Sequence, residues 1–359
     1  MSEVDEPIAT DPITTIGAAT SNLNTGTGKQ TNATISGGTH NTQYIAQTQT
    51  FYTSNADGGR ECLDALFITD PAIDRDKLER VKGARTESTC SWILDDATYM
   101  SWREGAPSLL HVRGSPGKGK TMLSIYLTRE LALRKNALVI YHFFTAGDTQ
   151  RNNAATIMRA VIWQLVNSVA EPQLVSLLNA LMVSAARSKQ VVAEPETMWA
   201  ISIELLRNMP EREVYCVLDG LDEYVADDQG WLAHKLITPT TCSISASLRT
   251  VVLSRPLPDL RDSAHIDLDG VAAAAVARDV KLYTSTVVKA IASWLPPDAN
   301  EEAALESYLA ERAQETFLWI GCAAAACARK GTYTEVMRIV RGLPKRAFRT
   351  LSSDLGGYR

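Results

Sequence analysis

Between an apolar run, Leu109-Leu110-His111-Val112, and a helical pattern of Met122, Leu123, Ile125 and Tyr126 stands Gly114-Ser115-Pro116-Gly117-Lys118-Gly119-Lys120-Thr121. This GxxxxGK[ST] spacing constrains the fold more than anything else in the chain, because its chemistry needs a strand before it and a helix after it. Glycines let the backbone curl until successive N–H groups point inward at phosphate oxygens, and the helix N-terminus adds the positive end of its dipole. Lys120 is placed to reach the β- and γ-phosphates of a nucleotide, and the Thr121 hydroxyl to ligate Mg²⁺. A Gly-rich surface turn would need neither flank.

A second element makes the first more specific. The apolar run Val214-Tyr215-Cys216-Val217-Leu218 ends in Asp219 and continues Gly220-Leu221-Asp222-Glu223. A carboxylate at the C-terminal end of a buried strand can hold the Mg²⁺ shell, and acids just past it can orient a water for attack on the γ-phosphate. Asp219 is assigned to Mg²⁺. Asp222 and Glu223 are both candidates for the water, with Glu223 the better base because Asp222 could serve equally behind the metal. A third run, Leu248 to Ser254, delivers Arg255 at the edge where ligands bind in open α/β sheets. Arg255 is read as a γ-phosphate contact, with a structural salt bridge as the competing account.

Strands and helices alternate around these motifs, the pattern of an α/β fold with a parallel sheet. Strands are expected at 108–113, 137–144, 213–219, 248–254 and 265–268, and helices at 121–134, 154–169, 174–186 and 196–209. Beyond Asp269 the periodicity is helical only, over 275–294, 301–313, 317–328 and 334–340. The chain then divides into a polar tail (1–57), a helical lead-in (58–107), a nucleotide-binding domain (108–269) and a helical domain (270–359). His111 and His142 lie inside apolar strands and are read as core histidines. Trp92, Trp163, Trp199, Trp294 and Trp319 recur at helical core spacing.

Composition removes other classes. The net charge of −5 argues against a protein that coats nucleic acid. Six Cys without CxxC pairs signal neither a zinc module nor a disulfide framework. The acidic N-terminus lacks a signal-peptide pattern, and no apolar run approaches the roughly 20 residues of a spanning helix. A soluble, cytoplasmic protein is expected.

In combination the motifs resemble the NACHT family of signal-transduction NTPases, in particular fungal NOD-like receptors and the nephrocystin-type P-loop module. The resemblance rests on ARTESTCSWILDDATYMSW, LLHVRGSPGKGKTML, VYCVLDGLDE and LRTVVLSRP, and further on RDVKLYTSTVV and ETFLWIGCAAAA. It implies a five-stranded sheet in the order 5-1-4-3-2 followed by a small helical domain. It also implies a slow ATPase, with ATP preferred over GTP, that is closed with diphosphate and self-associates with triphosphate. Such receptors usually continue into a winged-helix segment and a sensing repeat array, and the sequence reaches Arg359 before either could fit. Phe317-Leu318-Trp319 stands where many relatives carry a Gly-x-Pro element that packs on the base. The alternative from another class is a constitutive P-loop ATPase or kinase, against which stands the lack of a lid-like Arg cluster or substrate domain.

From Gly17 to Asn55 the chain is mostly Thr, Asn, Gln, Ser and Gly, with Lys29 its only full charge. Between Gly26 and Gln47 a weak repeat sets GTGKQTNATIS over GGTHNTQYIAQ at an offset of 11 residues. One reading is a linker, since this composition cannot offset the entropy of folding alone. The other is stacking of identical copies as cross-β, where Asn/Gln ladders form and charge would repeat every 4.7 Å or roughly so. The segment resembles the amyloid-forming signalling motifs of fungal receptors, which implies a downstream effector with a matching motif as partner.

Overall fold

The computed structural model describes residues 20–25, 29–34, 62–105, 107–145, 153–169, 172–185, 194–209, 212–223, 226–238, 248–313, 316–328 and 330–344. The second half of the polar repeat, Cys242 and the basic end from 345 onward lie outside the described residues.

Two strands, β1 (Thr20–Thr25) and β2 (Lys29–Thr34), pair antiparallel as a hairpin. The lead-in contributes α1 (Pro71–Lys82), a 3₁₀ turn (Ser91–Asp95) and α2 (Ala97–Arg103). Their starts are written in sequence: Asp70 accepts from the Ala72 N–H at 2.8 Å ahead of Pro71, and Asp96 accepts from the Thr98 and Tyr99 N–H groups at 2.9 and 3.0 Å.

The sheet comprises β3 (Leu109–Arg113), β4 (Ala137–Phe143), β5 (Glu213–Asp219), β6 (Leu248–Ser254) and β7 (Ala264–Asp267). All pairings are parallel, in the order β4-β5-β6-β3-β7. Numbered within the sheet this is 2-3-4-1-5, the expected order read from the opposite edge. Parallel strands need crossovers, and helices supply them: α3 (Lys120–Ala132) after β3, then α4 (Ala154–Val169), α5 (Pro172–Ala185) and α6 (Pro195–Arg207) after β4. A further helix, α7 (Ala226–Ile237), follows β5 and was not expected; the run ADDQGWLAHKLI carries an internal Gly230 that weakens its helical signature.

Because side chains alternate along a strand, both faces of the sheet are apolar. Val214, Cys216 and Leu218 of β5 face a core with α4 to α7, whereas Tyr215 and Val217 face a second core with α2 and α3. That second core continues into α8 (Ala273–Ala292), α9 (Ala299–Ala313), α10 (Phe317–Cys327) and α11 (Tyr333–Gly342). Trp102, fully buried, seats α2 by donating its indole N–H to the Thr250 carbonyl at 2.9 Å. The buried Asp279 of α8 accepts from the Cys90 N–H at 2.7 Å and the Trp92 indole N–H at 3.0 Å, so lead-in and helical region are joined by a buried carboxylate.

One core expectation needs correction. Trp294 is 44% exposed, since it follows the last turn of α8. Cys90 is in left-handed backbone (φ 67°) ahead of the 3₁₀ turn. Among the described residues no helix is long and apolar enough to cross a membrane.

Candidate functional site

Registers align the strand ends. Phe143 pairs with Asp219, Asp219 with Leu253, and Ser254 and Asp267 with Arg113 on its two sides. Everything that follows these residues therefore meets along one C-terminal edge, where α/β sheets bind ligands.

At Gly114 the chain leaves β3 with its N–H donating to the Ser254 carbonyl at 3.2 Å. A Cβ there would stand 2.8 Å from the Leu268 Cβ, so only glycine passes. Gly117 and Gly119 sit at φ +81° and +84°, the left-handed backbone that turns the loop into α3. The helix starts at Lys120 without a side-chain cap, which leaves its first N–H groups and its dipole facing the loop interior.

The charged groups sort into three sets. Lys120 Nζ donates to the Gly114 and Ser115 carbonyls at 2.6 and 3.0 Å, bridging the start of the loop. Burial holds its pKa below the ordinary lysine value, Asp222 and Asp219 oppose that shift, and Arg255 reinforces it. Asp219 is 4% exposed and hydrogen-bonded by Thr121; burial raises its pKa to about 7, against the pull of that bond. Asp222 lies in the 3₁₀ turn Leu221–Glu223, which Gly220 enters at φ +85° with its N–H on the Leu253 carbonyl at 2.7 Å. Its carboxylate accepts the Arg255 N–H at 3.0 Å and stands 3.0 Å from Arg255 Nε. Asp222 and Arg255 thus form an ion pair, in line with the salt-bridge account of Arg255. The Glu223 N–H closes the same turn onto the Gly220 carbonyl at 2.7 Å.

His111 is buried beside the loop, its Nε2 2.8 Å from Ser254 Oγ, and burial lowers its pKa to about 4. The imidazole is neutral and belongs to the scaffold. His142 is half-buried, edge-on to Phe144.

Sequence reasoning missed Asp269, and it gave Phe317 no contact with the loop. Asp269, just past β7, accepts the Ser115 N–H at 2.6 Å and faces Lys118 Nζ at 3.5 Å. The acid in Asp267-Leu268-Asp269-Gly270 after the last strand was the available signal. Phe317, at the first turn of α10, donates its N–H to the Gly117 carbonyl at 2.8 Å and lays its ring against Gly119, where a Cβ would meet it at 3.0 Å. The same ring packs on Tyr283 at 5.6 Å. The helical region therefore touches the loop directly.

The donor set suits Mg²⁺: a threonine hydroxyl and a buried carboxylate are hard oxygen ligands, and burial is what raises the Asp219 pKa. Thr121 and Asp219 are the residues that would hold it.

The profile of the family described as Nephrocystin 3, N-terminal, matches residues 88–255. The chain is similar to the vegetative incompatibility protein HET-E-1 of Podospora anserina, at 29% identity over 282 residues, 74% of this chain and 20% of that protein. It thus spans a fifth of the length of that curated relative. Among solved structures, Drosophila ORC bound to DNA has a TM-score of 0.39 at 12% identity, covering 75% of this chain and 69% of that one. C. elegans PCH-2 has a TM-score of 0.36 at 12% identity over 77% and 71%. The glycine loop, the acidic turn and Arg255 all fall inside the matched span, so over residues 88–255 the chain is similar to the nephrocystin 3 N-terminal family.

Proposed function

We propose that the chain is a nucleotide-dependent switch that binds ATP with Mg²⁺, hydrolyses it slowly and self-associates in the triphosphate state. The reading is carried by the meeting of Lys120, Asp219, Glu223 and Arg255 at one sheet edge, with Phe317 of the helical region bonded to the glycine loop. The loop N–H groups would hold the β-phosphate. Lys120 would exchange its two carbonyls for β- and γ-phosphate oxygens. When bound, Mg²⁺ supplies charge neutralisation on those oxygens. Glu223 would accept the proton of the attacking water, because both oxygens of Asp222 are taken by Arg255. The water adds to the γ-phosphorus as the bond to the β-γ bridging oxygen breaks, leaving diphosphate and inorganic phosphate. Occupancy of the loop is then felt at α10 through Gly117 and Gly119, and so biases the helical region.

The relative HET-E-1 is named for vegetative incompatibility, and a role of that kind is proposed here, in fungal immunity or programmed cell death through the polar N-terminal tract. The hairpin supports a strand-forming tract: Thr20 pairs with Thr34, Asn22 with Asn32 and Asn24 with Gln30. A lone two-stranded hairpin is marginal, and its open edges favour pairing with further copies. The partners proposed are other copies of this chain and an effector with a matching tract.

Turnover and particle mass test the switch together. Turnover below about 1 s⁻¹ is expected, with growth in mass under a non-hydrolysable triphosphate and none under ADP. Fast turnover at constant mass would instead favour a constitutive ATPase or kinase. A peptide spanning residues 20–52 is expected to form thioflavin-positive fibrils that seed themselves; one that stays monomeric returns the tract to a linker.

Glu223→Gln is expected to keep nucleotide affinity and slow hydrolysis by about 10² or more, the usual scale for loss of a general base. Single-turnover measurement checks this, and unchanged hydrolysis would return the base role to Asp222.

A further inference from the structure

β4 forms one edge of the sheet, and among the described residues its one strand neighbour is β5. In a parallel pairing the N–H and C=O of a residue point to the same side, and those of the next residue to the other. Phe144 donates its N–H to the Asp219 carbonyl at 2.9 Å, so Ile140 and His142 also turn toward β5, while Val139, Tyr141 and Phe143 turn outward. An outward row of this kind is a template for a further strand.

The middle position of that row is already filled. Gln164 of α4 accepts the Tyr141 N–H on Oε1 at 3.0 Å and donates from Nε2 to the Tyr141 carbonyl at 3.0 Å. The same Nε2 donates to the Ala160 carbonyl at 3.1 Å, one turn back in its own helix. These contacts fix which end of the amide is oxygen, since the reverse orientation would set donor against donor and acceptor against acceptor. Gln164 is 4% exposed on a helix whose Ile162, Leu165 and Val166 are fully buried, a place where an unbonded amide would be costly. An amide that pairs with both backbone groups of one strand residue does what a neighbouring strand would do there. With Tyr141 taken, an incoming strand finds no two successive outward residues open.

The chain carries strand-forming segments of its own, β1 and β2, and runs from them into a lead-in that lies beside this edge. Arg159 of α4 donates to the Ala65 carbonyl at 2.7 Å, Leu66 is fully buried in the core that α4 lines, and Ile68 and Pro71 line a small cleft with Tyr141 and Phe143. A tether of this kind raises the effective concentration of the tract at the edge. The cover that α1 gives is partial: the helix buries no residue and sets the Arg75 guanidinium 5.4 Å from the Tyr141 ring centre.

We propose that the β4 edge is a strand-accepting surface whose fitting partner is the polar tract of this chain, and that Gln164 keeps it closed by standing in for that strand. Strands of the tract are then left to pair with one another. None of this depends on which nucleotide the glycine loop takes.

Amide hydrogen exchange and particle mass of the full chain without nucleotide test this in wild type, in Gln164→Met, and in Gln164→Met combined with Leu23→Pro and Thr31→Pro. Met keeps the length of the side chain but offers no amide, and the prolines remove the strand-forming capacity of β1 and β2. If Gln164 were only a prop, Tyr141 would exchange faster in Gln164→Met, because its N–H loses its acceptor. Strand addition predicts the opposite pattern: Val139 and Phe143 slower by about 10-fold or more, with Tyr141 still protected. The prolines are expected to return all three amides to fast exchange. Protection with constant mass means addition within one chain, and protection with mass that grows with concentration means addition between copies; either supports the proposal. Faster exchange at Tyr141 with Val139 and Phe143 unchanged would overturn it, as would protection that the prolines do not remove, which would assign the edge to another partner. Should Gln164→Met fail to fold, Gln164→Glu keeps an acceptor for the Tyr141 N–H and loses the donors; slower exchange at Val139 and Phe143 is again expected, and unchanged exchange there overturns the proposal.

Discussion

Lys120→Ala is expected to abolish measurable nucleotide binding, lowering affinity by at least about 10³-fold, while the protein stays folded. The ammonium donates to the Gly114 and Ser115 carbonyls at 2.6 and 3.0 Å, so it is already at the mouth of the loop and needs only to exchange partners. A charge-assisted hydrogen bond contributes about 1.5–3 kcal/mol, and a lysine that spans two phosphates contributes two of them. Its environment raises the effect. Burial and Arg255 both disfavour the charged amine in the free protein, and an arriving polyphosphate relieves both. Folding should survive, because Lys120 is outside both apolar cores and one of its two carbonyl partners, Ser115, is exposed, where water can replace it. Titration of a fluorescent nucleotide beside a melting curve without nucleotide checks both halves. Affinity reduced less than 10-fold or so would mean that the loop N–H groups alone hold the phosphates. Loss of folding would instead mean that the ammonium is structural.

The loop, the acidic strand and the Arg-bearing strand were legible in the sequence because each is a local pattern with a local cause. The strands at Glu213–Asp219 and Leu248–Ser254 are buried on both faces, so they read as apolar runs, Val214 to Leu218 and Val251 to Leu253, that end in a polar residue. The helix Ala154–Val169 has an uninterrupted amphipathic period. Asp269 was not legible as a site residue, since its bond to Ser115 joins positions 154 apart. Phe317 escaped for the same reason: its pattern is that of any helix start, and only the docking of α10 brings the ring onto Gly119. Asp222 was read as a group for water or behind the metal because it follows a metal-type aspartate at the right interval. Its contact with Arg255 lies 33 residues on, at the end of the neighbouring strand, which periodicity cannot reveal. The unexpected helix α7 combines a weak local signal with a packing cause, since Leu232, Ala233 and Leu236 are buried against the sheet face that β5 presents.

Asp219→Asn is expected to raise the melting temperature of the nucleotide-free protein, and to raise it more at high pH than at low pH. In the folded protein burial raises the Asp219 pKa from 3.8 to about 7. Between those values the folded state holds a proton that the unfolded state has released, so wild-type stability falls as pH rises through the interval and levels off above it. A shift of about 3 pH units corresponds to roughly 4 kcal/mol of cost once the carboxylate is charged, of which about half accrues between pH 5.5 and 8. The amide carries no charge to bury and can still accept from Thr121, so the variant escapes this cost. The sign reverses with ligand. Mg²⁺ and triphosphate stabilise whatever state binds them by mass action, and wild type offers a carboxylate where the variant offers a neutral oxygen. Wild type should therefore melt above Asp219→Asn in saturating Mg²⁺-nucleotide and below it without ligand. Melting curves at both pH values, with and without ligand, check the crossing. Parallel pH profiles in the free proteins would show that Asp219 is not charged at the cost of folding, and equal stabilisation by ligand would remove it from the metal.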